Sequence, residues 1–148
     1  MEPNIRALNA EEEAELDRYL IHGLELLPIK YEEQEGDFLL LAVQMVIDAV
    51  RLGEEPPKGV SIADLCTWLG VVWGDELCDR LGWNWFYVRM PSGFEGAAIV
   101  AHDRKSCCFP IHCIHRWATD TTVANRCMLL LEELGKERSS APVFQVFH

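Results

Sequence analysis

Leu16, Tyr19, Leu20, Leu24 and Leu27 recur at helical spacing, and Pro28 closes the pattern. Asn9 is placed to cap this first helix, with Glu12 three residues on as in a capping box. Glu11, Glu12, Glu13 and Glu15 fall in its first turns, where the helix dipole favours negative charge. After a polar link, Lys30 to Gly36, a second helix is expected from Asp37 to Leu52, with Gly53 as its stop. Gln44, Asp48 and Arg51 make a polar stripe on a helix otherwise apolar on most sides, which predicts a place at the centre of the fold. The prolines of Glu54 to Gly59 mark a loop.

Ser61, with Asp64 three residues later, predicts the start of a third helix, and Gly82 its end. Ile62, Leu65, Leu69, Val72 and Leu81 are expected to face the core. Ala63, Cys66 or Thr67, Gly70 and Gly74 form a strip of small residues at four-residue spacing. Each interior glycine costs about 1 kcal/mol relative to alanine, so a neighbouring backbone packed closely against the strip is expected. Three strands follow: Trp83 to Met90, Gly96 to His102 and Cys107 to Phe109, with turns at Pro91-Ser92-Gly93 and Asp103 to Ser106. Trp83 and Trp85 share one sheet face, where core packing is their default role. Pro110 suits the first turn of a helix carrying Ile111, Ile114, His115 and Ala118. A last helix is expected from Thr121 to Leu134, capped by Asp120 and closed by Gly135, and the weak alternation of Val143 to Phe147 allows a further strand. The expected architecture is one α+β domain over residues 1–148: N-terminal helices, a three-stranded antiparallel meander and C-terminal helices.

Composition narrows the function classes. At 148 residues, roughly 70% of the extended chain's surface can be buried. The longest apolar runs, Phe38 to Ile47 and Leu65 to Gly74, fall short of the roughly 20 residues a bilayer span needs. The N-terminus lacks the basic start and apolar centre of a secretory signal, so a soluble, cytoplasmic chain without a membrane partner is expected. Six cysteines there read as free thiols, with Cys66, Cys78 and Cys127 as small buried hydrophobes within helices. The net charge of −11 is uneven: residues 1–60 hold 14 acidic and 5 basic residues, a net of −9, against −2 for the remainder. That balance argues against a nucleic-acid partner and for a cationic one.

The densest candidate for chemistry is Cys107, Cys108, His112, Cys113 and His115. Its spacing matches no usual zinc pair, and no second pair lies at a distance, so neither a metal nor another cofactor is expected. Cys108 or Cys113 beside His112 or His115 could be drawn as an activated nucleophile, with Asp103 as orienter. Asp75, Glu76 and Asp79 could serve acid–base work, but are expected on the exposed face of the third helix. No nucleotide-binding, nucleophile-elbow or zinc-protease motif is present.

The run LGVVWGDELCDRLGWNWFYV from Leu69, followed by Phe109-Pro110, resembles a bacterial family of uncharacterised small domains. The matching elements are Leu69-Gly70, Gly74-Asp75-x-Leu77, Leu81-Gly82-Trp83-x-Trp85 and Phe109-Pro110, within residues 61–118. The resemblance implies a helix–meander–helix core, and similarity to small cytosolic immunity proteins encoded beside secreted bacterial toxins. The leading expectation is therefore a non-enzymatic immunity-type protein that occludes the active site of a cognate, basic toxin. Glu32, Glu33, Glu35 and Asp37 are its expected partner-binding residues. A small hydrolase or transferase using the Cys107–His115 region is the alternative, and an adaptor that dimerises through an apolar patch is a third reading.

Overall fold

The computed structural model describes residues 2–29, 36–135 and 145–147. Helices α1 (Ala10–Leu26), α2 (Gly36–Arg51), α3 (Ile62–Leu81), α4 (Pro110–Thr119) and α5 (Leu129–Gly135) pack with a sheet of strands β1 (Asn4–Arg6), β2 (Asn84–Arg89), β3 (Glu95–Val100), β4 (Ser106–Cys108) and β5 (Gln145–Phe147). The architecture is mixed α and β, and among the described residues no helix is long and apolar enough to cross a membrane.

Among the described residues the sheet order is β1-β2-β3-β4-β5, five strands where the hydrophobic pattern predicts a meander of three and allows one more at the tail. In the middle of the sheet β3 pairs antiparallel with β2 on one side and with β4 on the other. β1 adds antiparallel to β2, and β5 adds parallel to β4. Both additions are three residues long: β1 is too short for an alternation to register, and β5 falls within the tail whose weak alternation allows a strand. Of the predicted tail strand, Val143 and Phe144 lie outside the described residues.

Local signals set the helix ends. Asn9 and Glu12 complete a reciprocal capping box, and Arg6 from β1 binds the same Glu12 carboxylate at 2.7 and 3.0 Å. Ser61 accepts from the Asp64 backbone N–H at 3.1 Å to start α3, and Gly82 ends it in the left-handed region at φ 71°. Pro110 opens α4, where its missing N–H goes unneeded.

The central helix is α3 rather than α2, because close approach rather than hydrophobicity decides the centre. A Cβ on Gly70 would lie 2.6 Å from the Ile111 Cα of α4. One on Gly74 would lie 2.6 Å from the Trp85 ring and 2.7 Å from Pro110, and one on Gly23 of α1 would lie 2.7 Å from the Trp68 carbonyl oxygen. The small-residue strip is thus a groove into which α4 and the sheet settle. Leu65, Leu69, Val72 and Leu77 are fully buried around it, whereas Ile62 is 42% exposed at the first turn and leaves the predicted core set. Trp73 is buried edge-on to Trp117, ring centroids 5.3 Å apart, and donates to the Cys127 carbonyl at 2.9 Å. Trp83 and Trp85 pack into the same core.

The polar stripe of α2 also faces inward. Arg51 donates to the carbonyls of Trp117 at 2.5 Å, Val123 at 2.7 Å and Asp120 at 3.4 Å. Asp48 accepts from Asn125 at 3.0 Å, and Gln44 accepts from the Met128 backbone N–H at 3.2 Å. These bonds hold residues 120–128 as an irregular segment, so the last helix begins at Leu129 rather than Thr121, and Cys127 precedes it. Asp120 caps no helix N-terminus. It ends α4, and its carboxylate takes the N–H and hydroxyl of Thr122.

Gly70→Ala should destabilise the fold by about 1–3 kcal/mol despite alanine's better helix propensity, because backbone of α4 cannot yield to the methyl. Gly96→Ala, where an added Cβ meets nothing within 4 Å, should stay within about 0.5 kcal/mol of wild type. Urea unfolding of the two variants measures the difference.

Candidate functional site

The Cys/His run is split by the elements it spans. Alternation along β4 sends Cys107 to the apolar cluster on one sheet face and Cys108 to the main core on the other. Cys113 turns inward from α4, its sulfur 3.6 Å from that of Cys108 and 3.8 Å from the Phe147 carbonyl oxygen. Burial pushes the Cys107 thiol up to about 12 and holds that of Cys108 well above its usual value. Both are therefore neutral thiols at physiological pH, not thiolates. His112 and His115 project from a different side of α4, into a cavity whose wall includes Cys66. Burial raises Cys66 as well, to about 11. Among the described residues, no three His, Cys, Asp or Glu side chains are grouped so as to hold a metal ion.

That cavity has a volume of about 360 Å3 and lies between the first turns of α3, the first half of β3 and the first turns of α4. Its existence follows from a ladder cut short. β4 pairs with only Ile99 and Val100 before the chain turns at Phe109-Pro110 into α4, leaving the start of β3 uncovered on that side. Ala63, Gly96 and Ala97 are too small to fill the gap. Phe94 stands at its edge, 44% exposed, with its ring edge-on to Phe109 at 4.9 Å and to His112 at 5.1 Å.

A second cavity, about 270 Å3, is bordered by Glu13, Asp17, Asp75 and Trp85. Asp75 is half-buried here, not on an open helix face. Desolvation raises its pKa, and Asp79, Glu76 and Asp17 add to the effect. Glu76 is buried outright, accepting from the Gly36 backbone N–H at 2.8 Å and pairing with Arg80 at 3.2 Å. Only Asp79 of these three keeps the exposed position expected of it.

Of the predicted partner-binding acids, Glu32, Glu33 and Glu35 lie outside the described residues. Asp37 is exposed at the start of α2 and pairs with Arg80 at 2.7 Å, which ties that end of the helix to α3. The same helix carries a feature the polar-stripe reading missed. Phe38, Leu41 and Met45 are 67%, 45% and 59% exposed, spaced i, i+3 and i+7 along one face, and Leu52, just past the helix's end, is 86% exposed. The signal was present in the sequence: a helix apolar all round must either be surrounded or leave one apolar face outside. Leu41 shares its side of the helix with the exposed Asp37, four residues before it. Arg51, the one base between Gly36 and Gly53, is turned onto carbonyls.

No protein-family model, curated protein or solved structure matches this chain.

Two outcomes test the electrostatics of these sites. In native protein at pH 7.5, iodoacetamide should leave Cys107, Cys108, Cys113 and Cys127 unmodified over a period that alkylates all six cysteines in guanidinium, as read by mass spectrometry. Asp75 has its folded pKa raised, so its ionisation opposes folding as pH rises through that value. Asp75→Asn should therefore be more stable than wild type at pH 7, with the gain shrinking as pH falls toward the unfolded aspartate value. Urea midpoints from pH 4 to 7 follow it.

Proposed function

We propose that this chain is a non-enzymatic binding protein of the immunity type, which neutralises a cognate bacterial toxin by covering its active site. The observation that carries the reading is the exposed apolar face of α2, bordered by acid. Three large side chains, Phe38, Leu41 and Met45, lie open along one helix, and Leu52 lies open just past its end. Apolar patches with a polar rim mark protein-binding sites, and their centres supply most of the binding energy. The acids Glu32, Glu33 and Glu35 immediately precede this helix in sequence, Asp37 begins it, and Glu54 and Glu55 follow it. A basic toxin surface would be drawn in by this negative charge and held by the apolar side chains. The resemblance of residues 61–118 to a bacterial family of uncharacterised small domains, themselves similar to small immunity proteins, points the same way.

Such a partner explains why an apolar face would remain outside, because it is core that is completed by the complex. Self-association through the same face is the competing adaptor reading, and it brings two chains of net charge −11 together.

The test expresses the chain with the product of the neighbouring gene and reads co-purification and cell survival. Leu41→Asp with Met45→Asp should weaken the complex at least tenfold while leaving the melting temperature close to wild type, since both side chains are already exposed. Reversal of Glu32, Glu33 and Glu35 to lysine should slow association at low salt, with the effect fading as salt rises. Full affinity and protection in both variants would overturn the reading, and a dimer by sedimentation that Leu41→Asp dissolves would replace it.

A further inference from the structure

The cut ladder beside the 360 Å3 cavity leaves something more specific than space. In an antiparallel pair, successive residues direct their N–H and C=O groups to opposite edges. The Met90 N–H donates to the Phe94 carbonyl at 2.7 Å, which sets residues 94, 96, 98 and 100 of the chain toward β2. The Ala101 N–H donates to the Ser106 carbonyl at 2.9 Å, which sets 97, 99 and 101 toward β4. The polar backbone groups of Glu95 and Ala97 therefore face the side that β4 has left, and among the described residues no strand pairs with them there. Pro110, which would begin the continuation of β4, has no N–H to offer and starts a helix instead.

We infer that this uncovered edge of β3 is a docking site for an extended peptide segment of another protein, which adds as a short strand and places one apolar side chain in the cavity. Backbone pairing supplies affinity in such strand addition, and the adjoining pocket supplies the choice of side chain. The cavity walls are suited to an aromatic or branched aliphatic group: Ala63, Ala97 and Ile111 form the apolar surface, and Phe94 closes one side. Thr67 and His115 place polar atoms around the same space.

The occupant is a flexible segment rather than a second copy of this chain. The edge is recessed between α3 and α4, so another folded sheet cannot bring its own edge alongside, whereas a chain end or loop can enter. Charge acts in the same direction, since each copy carries −11. This site lies apart from the exposed face of α2 and does not depend on it.

The experiment pans a display library of random seven-residue peptides against the full chain and measures the recovered peptides by fluorescence anisotropy. Two variants locate the site. Ala97→Pro removes the free edge N–H without touching a bond to β2, and Ala63→Trp fills the cavity from an exposed position on α3. The expected result is a set of peptides sharing one aromatic or branched aliphatic position, bound at least tenfold more weakly by each variant. Amide hydrogen exchange at Ala97 should slow at least tenfold when they bind to wild type. Circular dichroism of both variants checks that they fold, and if Ala97→Pro does not, Ala63→Trp and the exchange measurement decide. The inference is overturned if no peptide is recovered above background, or if binding survives Ala63→Trp with exchange at Ala97 unchanged. It is also overturned if Ala97 is protected only in a dimer of the chain. Peptide binding should be unaffected by Leu41→Asp with Met45→Asp, so this site and the α2 surface can fail separately.

Discussion

The close backbone approach along α3 is the constraint on which the other elements depend. Where Gly70 and Gly74 lack side chains, the backbone of Ile111 and the rings of Trp85 and Pro110 occupy the space. α4 consequently lies against α3 from its first turn, and the sheet is drawn in beneath both. Gly23 brings α1 against α3 in the same manner. The glycines that weaken an isolated helix thus make a groove deep enough for three neighbours, and the packing recovered there offsets their lost helix propensity.

α2 belongs to this assembly in a different way. Its inner side is divided between core residues such as Leu40, Val43 and Ile47 and the polar groups of Gln44, Asp48 and Arg51. Those polar groups satisfy the carbonyls and N–H groups of a segment with no ladder of its own, which is how an irregular stretch from Asp120 to Met128 is accommodated. With its polar residues turned to the protein, the helix has only apolar side chains left for much of its outer side. An exposed face on Phe38, Leu41 and Met45 is the consequence, and it is the physical basis for reading the molecule as half of a complex.

The cavity at the start of β3 comes from the same economy of short elements. β4 has three residues, and Pro110 commits the chain to a helix immediately after Phe109. A longer β4 would have covered Glu95 and Ala97 and left neither a pocket nor an open edge. The histidines that read in sequence as partners of cysteine stand at this pocket, while Cys108 and Cys113 are directed to the core by strand alternation and by helical phase.

Much of the local structure was legible from residues alone. The capping box at Asn9, the Ser61 cap, the Gly82 stop, the two hairpin turns and the start of α4 at Pro110 each rest on atoms within a few positions of one another. So does the need for a close neighbour at Gly70 and Gly74, because a helix bearing two interior glycines requires compensation. The identity of that neighbour was not legible, nor was the exchange of places between α2 and α3. Hydrophobicity measures how much a helix gains by burial, whereas the centre belongs to whichever helix others can approach most nearly. β1 is not legible because three residues carry too little alternation, and the weak alternation that allows β5 gives no sign of its distant partner, β4. The helical pattern after α4 is real, but Gln44, Asp48 and Arg51 bind this segment's backbone and side chains from across the fold, and it stays irregular. The sequence by itself determined where elements begin and end, since caps, turns and proline act locally. Only tertiary structure decided which faces remained outside and which thiols were hidden, because both are set by contacts between segments tens of residues apart.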